Sequence, residues 1–257
     1  PLNRKGLAPA ERLETNHVTR VRRSQMKAYT LQRVRDTLCF YDETQRAFFA
    51  VKQQAIQGDL GSQSLNTGTA SYIGSLADVR AMGALDFVDN HFYWDHPSWP
   101  DVPDWSPTGW VIRNEAWVNH PFDGLFGLAV TAIKDKPFTV SEFNEVFPNP
   151  HAVEGPLLMA TFANLQDWDA VFVFTHAHDQ LNYDAEQVTG FFDLAGNPLA
   201  TGLMPVAARI FLDQQTNPAR AEGLVSFTHN ETYDSVRYGW GGSSADFLQQ
   251  AKGVDAA

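Results

Sequence analysis

The fold class of this chain follows from one stretch, KPFTVSEFNEVFPN, at residues 136–149. Its apolar run, Pro137 to Val140, predicts a short buried strand, and the polar and proline-rich residues behind it predict a loop. Glu142 lies where the strand gives way to the loop. In α/β barrels, catalytic groups lie at the C-terminal ends of strands, where the sheet holds them beside a cleft. Glu142 is therefore either a catalytic carboxylate or an ordinary Glu at a strand end that caps the next helix.

Two further strands are predicted, one on each side of this stretch. Residues 86–96, DFVDNHFYWDH, carry apolar side chains and stop before Pro97, and residues 168–175, WDAVFVFT, form the clearest strand pattern of the chain. Helices are predicted in the same part of the chain at residues 122–135, 151–166 and 199–212. Strands that alternate with helices predict βαβ units with parallel strands, so the predicted fold class is α/β.

The remaining segments complete the predicted order. Helical spacing predicts helices over residues 20–57 and 71–82, and short strands are predicted over residues 59–66 and 224–228. Residues 97–121 contain five prolines and predict a long loop. A loop of this length inside a compact domain is usually functional.

The composition is that of a globular protein with an acidic surface. The 257 residues carry a net charge of −11 and are 44% hydrophobic, which argues against a disordered chain and against nucleic acid as a partner. No run of about 18 apolar residues predicts a membrane span, and the first residues lack the apolar core of a signal peptide. The single cysteine, Cys39, excludes an intrachain disulfide and a cysteine-based zinc site. We expect no membrane partner.

Polar side chains leave the predicted strand at residues 86–96 together. Successive side chains of a strand point to opposite faces, so His91, Tyr93 and Asp95 share one face and Trp94 lies on the other. A tyrosine beside a nucleophilic carboxylate can donate a hydrogen bond that keeps the carboxylate ionised and oriented. The alternative is a buried Tyr and a buried His whose hydrogen bonds are satisfied within the core.

Tryptophans are concentrated in and around the proline-rich loop. A tryptophan offers an apolar face that stacks on a sugar ring and an N–H that bonds a hydroxyl, although it is also a large core residue. The pattern therefore favours a carbohydrate ligand. The residues concerned are Trp94, Trp99, Trp105, Trp110 and Trp117.

Three segments together resemble a known family. HFYWDHP, KPFTVSE and WDAVFVF are similar to strands six, seven and eight of the clan A glycoside hydrolases, which are (β/α)8 barrels related to the family 5 cellulases. The stretches EGPLLMATFANLQDWDAVFVF and FFDLAGNPLATGLMPVAARIF also resemble bacterial family 5-like proteins, so the resemblance spans residues 80–220. It implies that Glu142 is the nucleophile and that His91 and Tyr93 are the strand-six His and Tyr of the family pattern.

The resemblance implies an incomplete barrel. The family's acid/base is a Glu in an Asn-Glu pair at the end of strand four, but the pair Asn114-Glu115 lies only 27 residues before Glu142 and is out of place for that strand. The expected fold is thus a (β/α)8 TIM-barrel type with strands five to eight, over residues 1–220, followed by a C-terminal strand and tail over residues 221–257. Two copies of the chain would then pair as a homodimer that covers the open barrel edges.

The expected function is that of a retaining, cellulase-like glycoside hydrolase that acts on β-linked glycans, weakly active or inactive if the chain is a fragment. Glu142 is the expected catalytic residue, and no cofactor or metal is expected. Such an enzyme is secreted or periplasmic. The expected substrate-binding residues are His91, Tyr93, Trp94, Asp95, Asn144 and His176.

Two alternatives remain open at this point. The first is a carbohydrate-binding protein that has lost catalysis. The second is a metal-dependent hydrolase, because THAHD at residues 175–179 places His176 and His178 two residues apart after a strand. That stretch resembles the His-x-His-x-Asp-His signature of metallo-β-lactamase-fold hydrolases, but Asp179 comes one residue too early and Gln180 replaces the expected neighbour.

Overall fold

A computed structural model of the chain describes residues 6–70, 76–106, 108–120, 123–178, 188, 190–220 and 223–234. The chain divides into two compact units, which we call the first unit (residues 1–88 and 224–257) and the second unit (residues 89–223). Helix and strand are mixed, and the small sheet is parallel, so the fold is roughly α/β, as predicted.

The helices and strands have the following bounds. The helices are α1 Leu31–Gln53, α2 Leu76–Met82, α3 Leu125–Ala129, α4 Glu154–Leu165, α5 Pro198–Leu212 and α6 His229–Asp234; the strands are β1 Val88–Trp94, β2 Phe138–Glu145 and β3 Ala170–Val173. No helix in the described ranges is both long and apolar enough to cross a membrane.

The first unit is helical. Thr30 caps α1 by accepting a hydrogen bond of 3.3 Å from the Arg33 N–H, and the buried face of α1 carries Val34 and Leu38. These residues pack against Ala77 of α2 and Tyr233 of α6. The prediction of a long helix over residues 20–57 is confirmed over α1.

Two strand predictions in the first unit were wrong. Residues 60–70 are irregular, since the Gly and Ser residues there are poor strand formers. Residues 224–228 are also irregular and lead into α6. Thr228 and Glu231 form a reciprocal cap, in which the Glu231 N–H donates to Thr228 Oγ1 over 3.3 Å and the Thr228 N–H donates to Glu231 Oε2 over 2.7 Å. This Thr-x-x-Glu pattern was the sequence signal for a helix start.

The second unit is built around a sheet with the strand order β1-β2-β3. β2 pairs in parallel with β3, and Val140 lies opposite Val171. α4 packs beside this sheet with a buried face at Pro156, Met159 and Ala163, which is helical spacing. All three strands of the second unit were predicted, and α4 and α5 are confirmed within a few residues.

Two elements of the second unit differ in length from the prediction. β2 continues beyond Glu142 to Glu145, so Glu142 lies inside the strand. α3 is shorter than the predicted helix over residues 122–135 because the buried Thr131 hydroxyl donates to the Leu128 carbonyl over 2.7 Å and competes with the helix ladder. The (β/α)8 barrel of the prediction is not seen as a closed sheet in the described ranges.

Candidate active site

Glu142 lies at the centre of a group of polar side chains on β1 and β2. Its carboxylate oxygen Oε2 accepts a hydrogen bond of 2.5 Å from the Tyr93 hydroxyl and lies 3.4 Å from His91 Nδ1. The Glu142 side chain is 31% exposed, so β1 holds the carboxylate while solvent still reaches it. The structure thus brings together three of the predicted site residues.

A second set of hydrogen bonds holds the His91 ring. His91 Nε2 lies 2.6 Å from Ser141 Oγ, and Ser141 Oγ donates to Asp89 Oδ2 over 2.5 Å. Buried Asp89 also accepts from the Ser141 N–H over 3.0 Å and from the Thr139 hydroxyl over 2.5 Å. Because the Ser141 proton points to Asp89, the Ser141 oxygen accepts from His91 Nε2. Nδ1 is then the ring nitrogen that faces Glu142.

A bulge in β2 explains why two consecutive residues reach the same neighbouring strand. Three steps along β2, from Val140 to Phe143, are matched by two steps along β3. An extra residue in one strand re-aims the side chains beside it. Ser141 and Glu142 therefore both contact β1, which strict alternation of side chains would not allow.

An aromatic surface adjoins Tyr93. Each of its rings lies within 6.4 Å of another, and the rings are Tyr93, His96, Trp99, Trp105, Trp110, Phe174, Phe191 and Phe192. Trp105 is 65% exposed and has a φ of 66°, a conformation that is an outlier for a bulky residue. Exposed rings of this kind offer faces on which a sugar can stack.

Two of the predicted substrate-binding residues, in β1 and at its end, are buried and form hydrogen bonds within the protein, so their contact with a substrate stays a prediction. The buried Asp95 carboxylate accepts the N–H groups of residues 113–114 over 2.6 and 2.8 Å. Trp94 is buried, donates its indole N–H to the Glu115 carbonyl over 2.9 Å, and stacks on Trp117 at 5.8 Å. Both side chains anchor the proline-rich loop where it folds back on the end of β1.

Asn144 and His176 also lie outside the group around Glu142. Asn144 is buried, and its amide donates to the carbonyls of Phe174 and Phe192 over 2.6 and 2.7 Å, so it ties β2 to two other segments. His176 is exposed. Its neighbour His178 packs against the aromatic surface instead, at 5.3 Å from the Phe174 ring.

Sequence reasoning missed Asp89 and Ser141, which hold His91. The signal for Asp89 was available, because the alternation that groups His91 with Tyr93 also places Asp89 on that face. Ser141 required knowledge of the bulge. The contact between His178 and Asp193 joins residues 15 positions apart, and no pattern in the sequence relates them.

The described part of the chain contains no group of three or more His, Cys, Asp or Glu side chains suited to a metal ion. Nδ1 of His178 is hydrogen-bonded to Asp193, and Asp179 of the predicted THAHD pattern lies outside the described residues.

Glu145, the last residue of β2, differs from Glu142 in its surroundings. It is buried, and no side chain forms a hydrogen bond with its carboxylate. Burial, and to a smaller extent the charge of Glu154, raises the pKa of Glu145 to about 8. Glu145 therefore carries a proton at neutral pH, which makes it unsuited to the role of an anionic nucleophile.

Comparisons of the chain with protein-family models, with curated proteins and with solved structures found no match in any of the three. What the site can do is therefore inferred from its residues and their geometry.

Proposed function

We propose that the second unit carries the active site of a retaining glycoside hydrolase that cleaves β-linked glycans, with Glu142 as the nucleophile. One observation carries this proposal: the Glu142 carboxylate is partly exposed, is held by the Tyr93 hydroxyl, and adjoins an aromatic surface. A retaining glycosidase needs a carboxylate that attacks the anomeric carbon and forms a covalent glycosyl intermediate. Aromatic faces beside that carboxylate hold the sugar rings.

The residues around Glu142 have separate roles in this proposal. Tyr93 holds Oε2, so that Oε1 is the oxygen that attacks. His91, fixed by Ser141 and Asp89, places Nδ1 beside the same carboxylate. The Tyr93 hydrogen bond orients the nucleophile before the substrate arrives, which lowers the reorganisation that the reaction requires.

The larger architecture is part of the same proposal. β1, β2 and β3 would be strands six, seven and eight of a (β/α)8 barrel, in line with the resemblance of their sequences. Phe172 of β3 is 57% exposed, which fits an apolar surface that a second copy of the chain covers. Light scattering at micromolar concentration tests this dimer, and a monomeric mass counts against it.

A non-catalytic carbohydrate-binding protein is the second candidate, and the positions of other carboxylates favour it. Asp89 and Asp95 are buried and hydrogen-bonded, as described above. Glu115 of the Asn-Glu pair lies 3.5 Å from Arg113 and 3.6 Å from His120. An acid/base paired with Glu142 is thus not identified among these carboxylates. Loss of this group lowers the rate by about 10²–10⁴-fold for substrates with poor leaving groups.

Covalent labelling distinguishes the two candidates. A 2,4-dinitrophenyl 2-deoxy-2-fluoro-β-glycoside needs little acid assistance and traps the glycosyl intermediate. We expect mass spectrometry to locate one sugar on the peptide that contains Glu142, and no label on the Glu142→Gln variant. Glu154→Gln is the matched control and should still be labelled. A label on another residue overturns the proposal, whereas oligosaccharide binding without any label supports the second candidate.

A further inference from the structure

His178 and Asp193 form a second polar pair on the aromatic surface. His178 Nδ1 is hydrogen-bonded to Asp193 Oδ1, and the His178 backbone N–H also donates to this oxygen over 3.2 Å. The Asp193 side chain is 7% exposed, whereas the His178 side chain is 45% exposed. A buried carboxylate therefore holds an exposed imidazole.

The backbone around Asp193 is closely fitted to its carboxylate. A Cβ atom on Gly190 would lie 2.7 Å from Asp193 Oδ2, which is closer than real Cβ contacts. The Asp193 N–H donates to the Gly190 carbonyl over 3.3 Å. The segment thus encloses the carboxylate and keeps it directed at His178.

The His178 ring lies on the same two phenylalanines as Tyr93. His178 packs at 5.3 Å from the Phe174 ring and 6.5 Å from the Phe192 ring. Tyr93 packs at 6.3 Å and 4.7 Å from these rings, and its hydroxyl holds Glu142. The His178 imidazole and the tyrosine that holds the proposed nucleophile therefore contact the same pair of aromatic rings.

The hydrogen bond to Asp193 determines which atom of His178 meets a ligand. Because Nδ1–H donates to the carboxylate, the neutral ring presents Nε2 as a hydrogen-bond acceptor. A sugar hydroxyl is a suitable donor for this nitrogen, and the apolar face of the same sugar suits the neighbouring Phe174 ring, which is partly exposed, whereas Phe192 is buried. A fixed acceptor beside an aromatic face recognises a hydroxyl at a particular position of the sugar ring.

We propose that His178, oriented by Asp193, is a substrate-binding residue that accepts a hydrogen bond from a hydroxyl of a β-linked glycan bound on the aromatic surface. This inference rests on the proposed function, since it assigns a further contact to the same ligand. Asp193 acts through His178 and is a positioning residue.

The test uses the full chain and four tetrasaccharides, namely β-1,4-linked glucose, mannose and xylose and β-1,3-linked glucose. Nitrogen–proton correlation spectra of the histidine side chains report on wild-type protein without any substitution. We expect the Nε2 signal of His178 to shift on addition of at least one tetrasaccharide, while the signals of His17, an exposed histidine of the first unit, stay in place.

Calorimetry of three variants gives the second measurement. We expect His178→Ala to weaken tetrasaccharide binding about tenfold, which corresponds to the loss of one neutral hydrogen bond. His178→Gln should recover part of the affinity because its amide oxygen can accept, and the control His17→Ala, at an exposed histidine of the first unit, should bind within about twofold of wild type. If His178→Ala does not fold, the spectra of the wild-type protein alone test whether His178 contacts the bound tetrasaccharide.

The outcomes separate the two proposals. Tetrasaccharide binding that calorimetry detects but that leaves the His178 signals unshifted, with unchanged affinity of His178→Ala, overturns this inference and leaves the proposed function standing. Absence of binding for all four tetrasaccharides overturns both.

Discussion

In each unit of the molecule, a tyrosine hydroxyl donates a hydrogen bond to a carboxylate. Tyr233 of α6 donates to Asp42 of α1 over 2.7 Å, and Tyr93 of β1 donates to Glu142 of β2 over 2.5 Å. The Asp42 side chain is 1% exposed and also lies 3.3 Å from Arg80, whereas the Glu142 side chain is 31% exposed. The contact is the same, but solvent reaches the carboxylate in the second unit only.

Exposure gives the two pairs different consequences. Burial, and a hydrogen bond to Asp42, raises the pKa of Tyr233, so its hydroxyl stays a donor and fastens α6 to α1. Such a pair stabilises the fold, and burial keeps the carboxylate oxygens out of reach of a ligand. The Tyr93–Glu142 pair stabilises little because one partner is solvated, but it holds a carboxylate where a substrate can approach. We therefore expect substitutions in the first pair to change stability and substitutions in the second to change activity.

The largest effect is expected for Glu142→Gln. Removal of the nucleophile should lower kcat for a dinitrophenyl β-glycoside on the order of 10⁴-fold or more. The free energy of unfolding should change by less than about 1 kcal/mol, because the side chain is partly exposed and a glutamine oxygen can still accept from Tyr93. Initial-rate kinetics and urea unfolding measure the two quantities. Retention of a tenth of the wild-type rate would contradict the comparison.

Asp42→Ala should have the opposite profile. The substitution leaves the Tyr233 hydroxyl and the Arg80 guanidinium without their buried acceptor, so we expect a loss of about 3 kcal/mol of stability in urea unfolding. Below the unfolding transition, hydrolysis or tetrasaccharide binding should match wild type. A loss of activity at full stability would show that the first pair is not purely structural.

Glu145 provides a pH test within β2 itself. Its pKa is raised to about 8 in the folded chain, so the folded state binds more protons than the unfolded state above the ordinary glutamate value of 4.5. The contribution of Glu145 to the free energy of unfolding is therefore fully present below about pH 4.5. It is lost as the pH rises from about 4.5 to about 8. We expect Glu145→Gln to remove this loss, on the order of 5 kcal/mol, in urea unfolding at pH 9.

The control for this experiment is the same comparison at pH 5, where Glu145 is protonated in the fold and the substitution should have little effect. Equal stability differences at both pH values would mean that Glu145 does not titrate between them.

The smallest expected effect compares the two tyrosines directly. Tyr93→Phe should lower kcat/KM about tenfold, because Glu142 loses the donor that orients it, and should change stability by less than about 1 kcal/mol. Tyr233→Phe should lower stability by roughly 1–2 kcal/mol and leave kcat/KM unchanged. Steady-state kinetics and urea unfolding of both variants measure these effects. Equal changes of kcat/KM and of stability in the two variants would contradict the difference between the two tyrosine–carboxylate pairs.

Most of the sheet could be predicted, because its strands are local apolar runs. The segments at β1, β2 and β3 each have a composition that buries well, and the helical spacing of α4 and α5 is regular. The strands predicted at residues 59–66 and 224–228 failed because short runs with few apolar residues carry little information. In the second case the capping pair Thr228 and Glu231 favoured a helix.

The candidate site was predictable only in part. Alternation along β1 grouped His91 and Tyr93, and the strand after it supplied Glu142, so the central contacts follow from local patterns. Alternation also grouped Asp95 with these residues, but Asp95 follows the end of β1 with a φ of 55°. Its carboxylate accepts hydrogen bonds from backbone N–H groups of the proline-rich loop. Whether a polar side chain at a strand end bonds to the loop or contacts a ligand depends on the path that the loop takes in the folded chain.

The sequence by itself determined the α/β class, the three parallel strands and the pairing of a carboxylate with a tyrosine, because periodicity and burial act over a few neighbouring residues. The tertiary structure alone decided that Ser141 and Glu142 share a face, that Trp94 is buried while Trp105 is exposed, and that His178 is held by Asp193. These features depend on a bulge and on contacts between distant segments. Such contacts depend on packing between segments that are distant in the sequence. No periodic pattern of residues along the chain therefore predicts them.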